Sequence, residues 1–344
     1  MDRRTFVKSS AMLGMAGLTS AIPLSGEAAV HAKSANKPFP SFKFKNGKFK
    51  ILQFTDTHYI AGDPRSERAL KNVRQMLDLE KPDLVIHTGD IIFGKPAQQS
   101  LKEILMPISE RHIPFAVTLG NHDQQFGMTR QEVFDYVKTL PGNINQGVPG
   151  LTGASNNIIT LQSANGTNKW ILYLFDSLEN IQVEGLKGYD FIHHDQIEWY
   201  TQQSKTFTQQ NGGKPIPSLA FFHIPIPEFK TALEEKWLTM NGYIRENPGC
   251  SKYNSGLFIQ MKELGDIKAI ICGHDHNNDY VHLWQEMLFI YGRFSGCDTV
   301  YNDLKPNGTR IFEMEEDKET IHTWIRLYDQ GIIQDEIYPS FFQK

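Results

Sequence analysis

The chain has 344 residues, with 35 Lys and Arg against 39 Asp and Glu, a formal net charge of −4. Hydrophobic residues make 40% and charged residues 22%, which excludes disorder, collagen-like repeats and coiled coil, and the acidic balance argues against a dedicated nucleic-acid backbone binder. Three cysteines, Cys250, Cys272 and Cys297, are too few for a disulfide framework or a thiolate metal site, and no apolar run reaches the roughly 20 residues that span a bilayer.

The N-terminus reads as an address. Asp2-Arg3-Arg4-Thr5-Phe6-Val7-Lys8 precedes a weakly apolar stretch, Ala11 to Leu24, and Val30-His31-Ala32 has the small-x-small spacing of a cleavage site. The paired arginines make residues 1–32 look like a twin-arginine export signal, which sets the expectation of a periplasmic or secreted protein that uses that export machinery. An ordinary amphipathic first helix is the alternative, but Pro23 and the glycines break any helical face. The signal carries a net charge of +1, so the rest of the chain stands at about −5. Residues 33–42, with Pro38 and Pro40, read as a linker, and residues 43–344 as a single domain.

From Lys48 onward strands and helices alternate. Lys50–Phe54, Leu84–Thr88 and Phe115–Leu119 are short apolar strands. Between the first two lies a helix capped by Ser66 with Leu70, Val73 and Leu77 on one face. Between the second and third lies a helix from Leu101 to Arg111, ended by Pro114. This order predicts parallel pairing. Asn157–Gln162 and Trp170–Phe175 read as neighbouring strands around a polar turn, and Asp195–Gln209 as a polar helix. Ser218–Phe222, Ile267–Ile271 and Leu288–Tyr291 are further buried strands. Arg310–Met314 and Thr320–Leu327 form a hairpin. Pro141–Ser155 and Glu228–Tyr253 read as long loops.

Five polar motifs follow five of these strands. They are Asp56-Thr57-His58, Gly89-Asp90, Gly120-Asn121-His122-Asp123, His223, and Gly273-His274-Asp275-His276. Open α/β sheets place ligands at the carboxyl ends of strands, so motifs distant in sequence are expected to converge in one crevice. Carboxylates, imidazoles and an amide oxygen suit Mn, Fe, Zn or Ni. The candidate ligands Asp56, His58, Asp90, Asn121, His223, His274 and His276 are too many for one tetrahedral zinc. They suit two divalent or trivalent ions sharing a bridging carboxylate. Glycines before Asp90, Asn121 and His274 let the backbone turn tightly out of each strand.

In order and composition these motifs resemble the calcineurin-like metallophosphoesterase superfamily. Lys81-Pro82-Asp83-Leu84-Val85, Gly188-Tyr189 with Gln196 and Trp199, and Asn254-Ser255-Gly256 resemble its purple-acid-phosphatase-like bacterial and plant branch. True purple enzymes have Gly where His58 stands and a metal-binding Tyr where Phe93 stands, so this site is expected to lack the tyrosinate. The resemblance implies a four-layer α/β/β/α sandwich of two mixed sheets. It implies one metal on Asp56, His58 and His276, the other on Asn121, His223 and His274, and Asp90 as the bridge. His122 would face the scissile phosphate as a general acid rather than bind metal.

The implied activity is hydrolysis of a small phosphoester. Two cations depress the pKa of a bound water, the resulting hydroxide attacks phosphorus in line, and the metals neutralise the phosphoryl oxygens. A phosphomonoesterase is the first reading. A phosphodiesterase acting on nucleotides or glycerophosphodiesters is the alternative, and a non-catalytic scaffold is the remote one. Arg293 is a candidate phosphate clamp, with a structural ion pair as its other reading. Asn254 is a candidate pocket residue. Asp123 either orients a ligand histidine or caps its loop. His87 reads as a sheet residue, and His193 and His194 as surface or capping groups. Cys272 reads as small core, and Cys250 with Cys297 as a possible pair for an oxidising compartment. Trp199, Trp237, Trp284 and Trp324 read as core or groove walls.

Overall fold

The computed structural model describes residues 38–235 and 239–343. Residues 1–32, where an export signal is expected, residues 33–37 of the expected linker and Trp237 lie outside them. The strands are β1 (Ser41–Lys43), β2 (Lys48–Phe54), β3 (Leu84–Thr88), β4 (Phe115–Thr118), β5 (Asn157–Gln162), β6 (Asn168–Leu174) and β7 (Ser218–Phe221). They continue with β8 (Met240–Asn241), β9 (Ile267–Cys272), β10 (Val281–Trp284), β11 (Met287–Tyr291), β12 (Gly308–Glu315), β13 (Ile321–Leu327) and β14 (Ile332–Tyr338). The helices are α1 (Glu67–Glu80), α2 (Ala97–Glu110), α3 (Arg130–Lys138), α4 (His194–Gln210), α5 (Glu228–Glu235) and α6 (Leu257–Leu264).

Among the described residues the strands form two mixed sheets. One has eight strands in the order β1-β5-β6-β7-β9-β11-β10-β8, the other six in the order β14-β13-β12-β2-β3-β4. β2, β3 and β4 pair in parallel across α1 and α2, whereas β12 returns antiparallel to β2. The period-2 alternation of strand side chains sorts the core into three layers. Leu52, Phe54, Val85 and Val117 face outward onto α1, α2 and α3. Phe49, Ile51, Leu84 and Ile86 face inward, against Leu172, Leu219, Ile271 and Ile290 of the other sheet. The far face of that sheet, including Tyr173, Ala220 and Ile270, packs on Tyr200, Phe229 and Phe258 from α4, α5 and α6. The result is the four-layer α/β/β/α sandwich.

Several local expectations need correction. The linker ends early: Pro40 O accepts from Thr160 N, and Ser41–Lys43 pair in parallel with β5 as an edge strand. Ser66 stands at the N-cap position of α1, but its side chain makes no capping hydrogen bond. Its hydroxyl accepts from Ile60 N, and Asp63 instead caps the short turn before the helix. The stretch from Glu228 to Tyr253 is not all loop, because it holds α5 and β8. α3 was not expected, although Thr129 and Glu132 form a capping box at its start. Cys250 and Cys297 are free thiols, not a disulfide. His193 caps α4 together with Gln196, and Cys272 lies in the core.

Candidate metal centre

All five motifs emerge from the same end of the sandwich. β2, β3 and β4 of the smaller sheet deliver Asp56, His58, Asp90, Asn121 and His122. β7 and β9 of the larger sheet deliver His223, His274 and His276. Asp56, His58 and His276 bring their ligand atoms together, as do Asp90, His223 and His274, and all six residues are buried. Each group takes residues from both sheets, so the centre joins the two layers at their common edge.

The distances tie the groups to each other. Asp90 Oδ2 lies 3.5 Å from His58 Nε2 and 3.2 Å from His223 Nε2, between the two sets. Asn121 Oδ1 stands 3.1 Å from His223 Nε2, beside the second set. Asp56 Oδ1 is buried and has no hydrogen-bond partner. Three imidazole nitrogens surround it, from His58 at 3.7 Å, His276 at 3.6 Å and His223 at 4.0 Å. His58 Nε2 and His276 Nε2 point at each other at 3.0 Å. An orphaned carboxylate oxygen and converging nitrogen lone pairs fit a cation rather than each other.

Neighbouring carbonyls fix which nitrogen is free. His223 Nδ1–H donates to Thr88 O at 2.7 Å, and His276 Nδ1–H donates to Tyr301 O at 2.8 Å. Each bond takes up Nδ1 and leaves Nε2 as the nitrogen turned to the ligand groups. Without a cation, charge on the histidines balances the carboxylates. Burial alone would raise the carboxyls of Asp56 and Asp90, yet the surrounding histidines hold both well below the usual carboxylate range. Burial opposes charge on His223 as well, but Asp90 lifts it to about 9. Burial and the neighbouring His223 push His274 down to about 3.

The backbone is held in place with effort. Asp56, His58, Asp90 and His274 have φ of 54°, 42°, 51° and 77°, the left-handed region that non-glycine residues avoid. Of the three glycines expected to supply tight turns, only Gly89 has positive φ. Gly120 and Gly273 are needed for close approach instead: a Cβ on Gly120 would strike Asp90, and one on Gly273 would strike Thr55.

His122 stands beside the two groups, about a third exposed, with Nε2 3.9 Å from Asp90 Oδ2 and its backbone N–H on Asp90 Oδ1. Phe93 takes the tyrosine position and lays its ring edge-on to both His58 and His122, at 5.1 and 5.0 Å between centroids. His122 opens onto a cleft of about 390 Å³ walled also by Asn121, Gln125, Asn180, Tyr189, Cys250 and Lys252. Gln125 and Lys252 carry no motif, so the sequence alone did not single them out. The GNHD neighbourhood of Gln125 was the available signal.

Contacts decide three weaker expectations, for Arg293 and Asp123 in favour of the structural reading. Arg293 is not a phosphate clamp. It is buried, its Nη1 pairs with Asp279 at 2.5 Å, and its other donors go to the carbonyls of Leu304 and Pro306. Asn254 does not reach the metal groups. Its amide donates to Glu228 in a separate small cavity with Ser177 and Tyr253. Asp123 caps the loops, accepting from the backbone of Asp90, Ile91 and Gly120 rather than from a ligand histidine. Burial and the adjacent Asp90 raise its carboxyl to about 6.

Comparison with known proteins gives the same picture. Residues 49–278 match the model of the calcineurin-like phosphoesterase family. The chain is 31% identical over 329 residues to "Probable inactive purple acid phosphatase 29" of Arabidopsis thaliana, covering 83% of this chain and 84% of that protein. It is 33% identical to "Phosphatase DCR2" of Saccharomyces cerevisiae, over 82% of this chain and 54% of the yeast protein. Among solved structures, a dimetal phosphatase from Danio rerio superposes with a TM-score of 0.58 at 11% identity, covering 83% of this chain and 98% of its own.

Proposed function

The chain belongs to the calcineurin-like phosphoesterase family, and from that premise we propose that it is a dinuclear-metal phosphomonoesterase. The observation that carries this reading is the pair of buried ligand groups with Asp90 between them and His122 at the mouth. Two cations bound there would supply Lewis-acid charge and a water made nucleophilic at neutral pH. Asp56, His58 and His276 would hold one, Asn121, His223 and His274 the other, and Asp90 both. His122 turns Nε2 toward the cleft, where it contacts a phosphate oxygen and holds the proton that the leaving oxygen needs. Phe93 walls the site with an apolar ring. Lys252 lines the same cleft and offers a cation to the second charge of a monoester dianion, which favours monoesters over diesters.

The word "inactive" in the names of several plant relatives raises the scaffold reading for this chain. The full ligand set and His122 favour chemistry. The test uses the full chain, stripped and reloaded with Mn, Fe, Zn or Ni, and compares kcat/KM for an aryl phosphate monoester and the matching diester. Monoester preference supports the proposal. Diester preference moves the function to nucleotides or glycerophosphodiesters, and metal binding without turnover of either favours the scaffold. Residues 1–32 are proposed to direct twin-arginine export to the periplasm or beyond. Replacing Arg3 and Arg4 with lysine is expected to hold the protein in the cytoplasm, and unchanged export would refute that assignment.

A further inference from the structure

The His122 ring has a built-in partner outside the metal groups. Its Nδ1 lies 2.8 Å from Gln125 Oε1, and the other end of the same amide, Nε2, donates to Asn121 O at 3.1 Å. A backbone carbonyl accepts and never donates, so the amide orientation is forced: nitrogen toward Asn121 and oxygen toward His122. An amide oxygen also only accepts, so the proton of neutral His122 sits on Nδ1. The turn that brings Gln125 back is closed by Gln125 N donating to His122 O at 3.0 Å. Phe93 packs edge-on to the ring, and the His122 backbone N–H is held by Asp90 Oδ1. Ring position and tautomer are therefore set by separate contacts.

We propose that Gln125 is a positioning residue for hydrolysis, fixing His122 as the Nδ1–H tautomer so that Nε2 alone faces the substrate. This rests on the phosphoesterase reading above. In the reaction it serves, a water oxygen forms a bond to phosphorus while the ester P–O bond breaks, and the second proton of that water passes to solvent. The leaving oxygen takes the Nε2 proton of doubly protonated His122, releasing an alcohol and phosphate and leaving the neutral Nδ1–H ring. The ring keeps its Nδ1 proton on Gln125 throughout, and Nε2 is reprotonated from solvent water. The other tautomer would set the Nδ1 lone pair against Gln125 Oε1, two acceptors 2.8 Å apart, and Nε2 would no longer be held to one role.

The test compares wild type with Gln125→Ala and Gln125→Glu, all fully metal-loaded. The substrates are an alkyl phosphate, whose leaving oxygen needs a proton, and 4-nitrophenyl phosphate, whose leaving group does not. Gln125→Ala is expected to lower kcat for the alkyl ester roughly 10–100-fold, the usual effect of losing an orienting partner, with KM and the nitrophenyl rate little changed. Gln125→Glu keeps an acceptor for Nδ1 but cannot donate to Asn121 O, so it is expected to restore the alkyl rate. Long-range ¹H–¹⁵N spectra of the zinc-loaded, histidine-labelled protein give an independent readout. The His122 signal, identified by its loss in His122→Ala, should report Nδ1–H in wild type and Gln125→Glu and mixed tautomers in Gln125→Ala. Equal losses on both esters, no rescue by glutamate, or an unchanged tautomer in Gln125→Ala would each overturn the proposal. If wild type hydrolyses neither ester, the phosphoesterase reading fails, and with it the catalytic role of Gln125, whatever the tautomer spectra show.

Discussion

Arg130→Ala leaves the Asp176 carboxylate wholly buried without its cation. In the native protein Asp176 accepts from Arg130 Nε at 2.9 Å and Nη2 at 2.5 Å, and from the backbone N–H groups of Ala154, Ser155 and Leu178. The same guanidinium donates to the carbonyls of Leu119 and Gly120, both at 2.8 Å, directly before Asn121 and His122. Breaking a buried pair from one side costs about 3–5 kcal/mol, because the remaining charge stays desolvated. At about 1.6 °C per kcal/mol for a folded chain of about 300 residues, the expected fall in Tm is about 5–8 °C. Thermal melts should be run on metal-free protein, since bound ions shift Tm on their own. The pH dependence has a definite sign. Burial opposes ionisation of Asp176, but Arg130 dominates and holds its carboxyl below the unfolded value. The stabilisation is therefore complete above the unfolded pKa and is lost as pH falls through the folded one, so the gap between wild type and variant narrows in acid. A variant within about 1 kcal/mol of wild type at neutral pH, or a gap that widens in acid, would refute the reasoning.

Four further outcomes are expected. Asp90→Ala should lower the content of both metals in elemental analysis, and retention of both ions would remove Asp90 from the bridge. His122→Ala should keep both metals and lose roughly 10²–10⁴-fold in kcat, whereas metal loss in step with activity would make it a ligand. Lys252→Met should lower kcat/KM for a monoester roughly tenfold more than for a diester, as loss of one charge-assisted contact would, and equal effects would detach it from phosphate recognition. Chelation should lower Tm, and reloading should raise it progressively with metal concentration; a Tm indifferent to bound metal would contradict a centre that joins the sheets.

The strands that carry the site were legible because each is a short apolar run ending in a polar motif, and strand ends in such folds point to one edge. The parallel unit from β2 to β4 follows from alternation alone. The stacking of two sheets does not, because β9 lies beside β7 and β11 while β12 crosses to the other sheet, and pairing order is not written in local pattern. β14 alternates weakly, with mostly exposed and half-buried positions at an edge, and so gives little periodic signal. α3, α5 and α6 span only eight or nine residues, too short for a hydrophobic face to stand out, although the Thr129–Glu132 capping box marked the start of α3. Arg293 stays open between phosphate clamp and ion pair in the sequence because residue type and position past β11 carry no direction. Its side chain turns inward to Asp279, and only the fold reveals that partner. Gln125 was missed for the converse reason: an amide has no chemistry of its own until a histidine is placed beside it.

Asp56, His58, Asp90 and His274 hold left-handed backbone without being glycine, which costs a histidine roughly 1–2 kcal/mol and an aspartate less. At Asp56, Asp90 and His58 glycine would strand the buried charges that pair there, but at His274, whose ring is neutral, it would relieve the cost and delete a ligand in the same stroke. For the metal-free protein, then, erosion of the centre runs downhill at that position. A descendant chain can grow sturdier by the very substitution that silences it, and would still fold into the same sandwich. Robustness and reactivity pull on that backbone torsion in opposite directions, so the shape of the molecule alone is a poor witness to whether it still works.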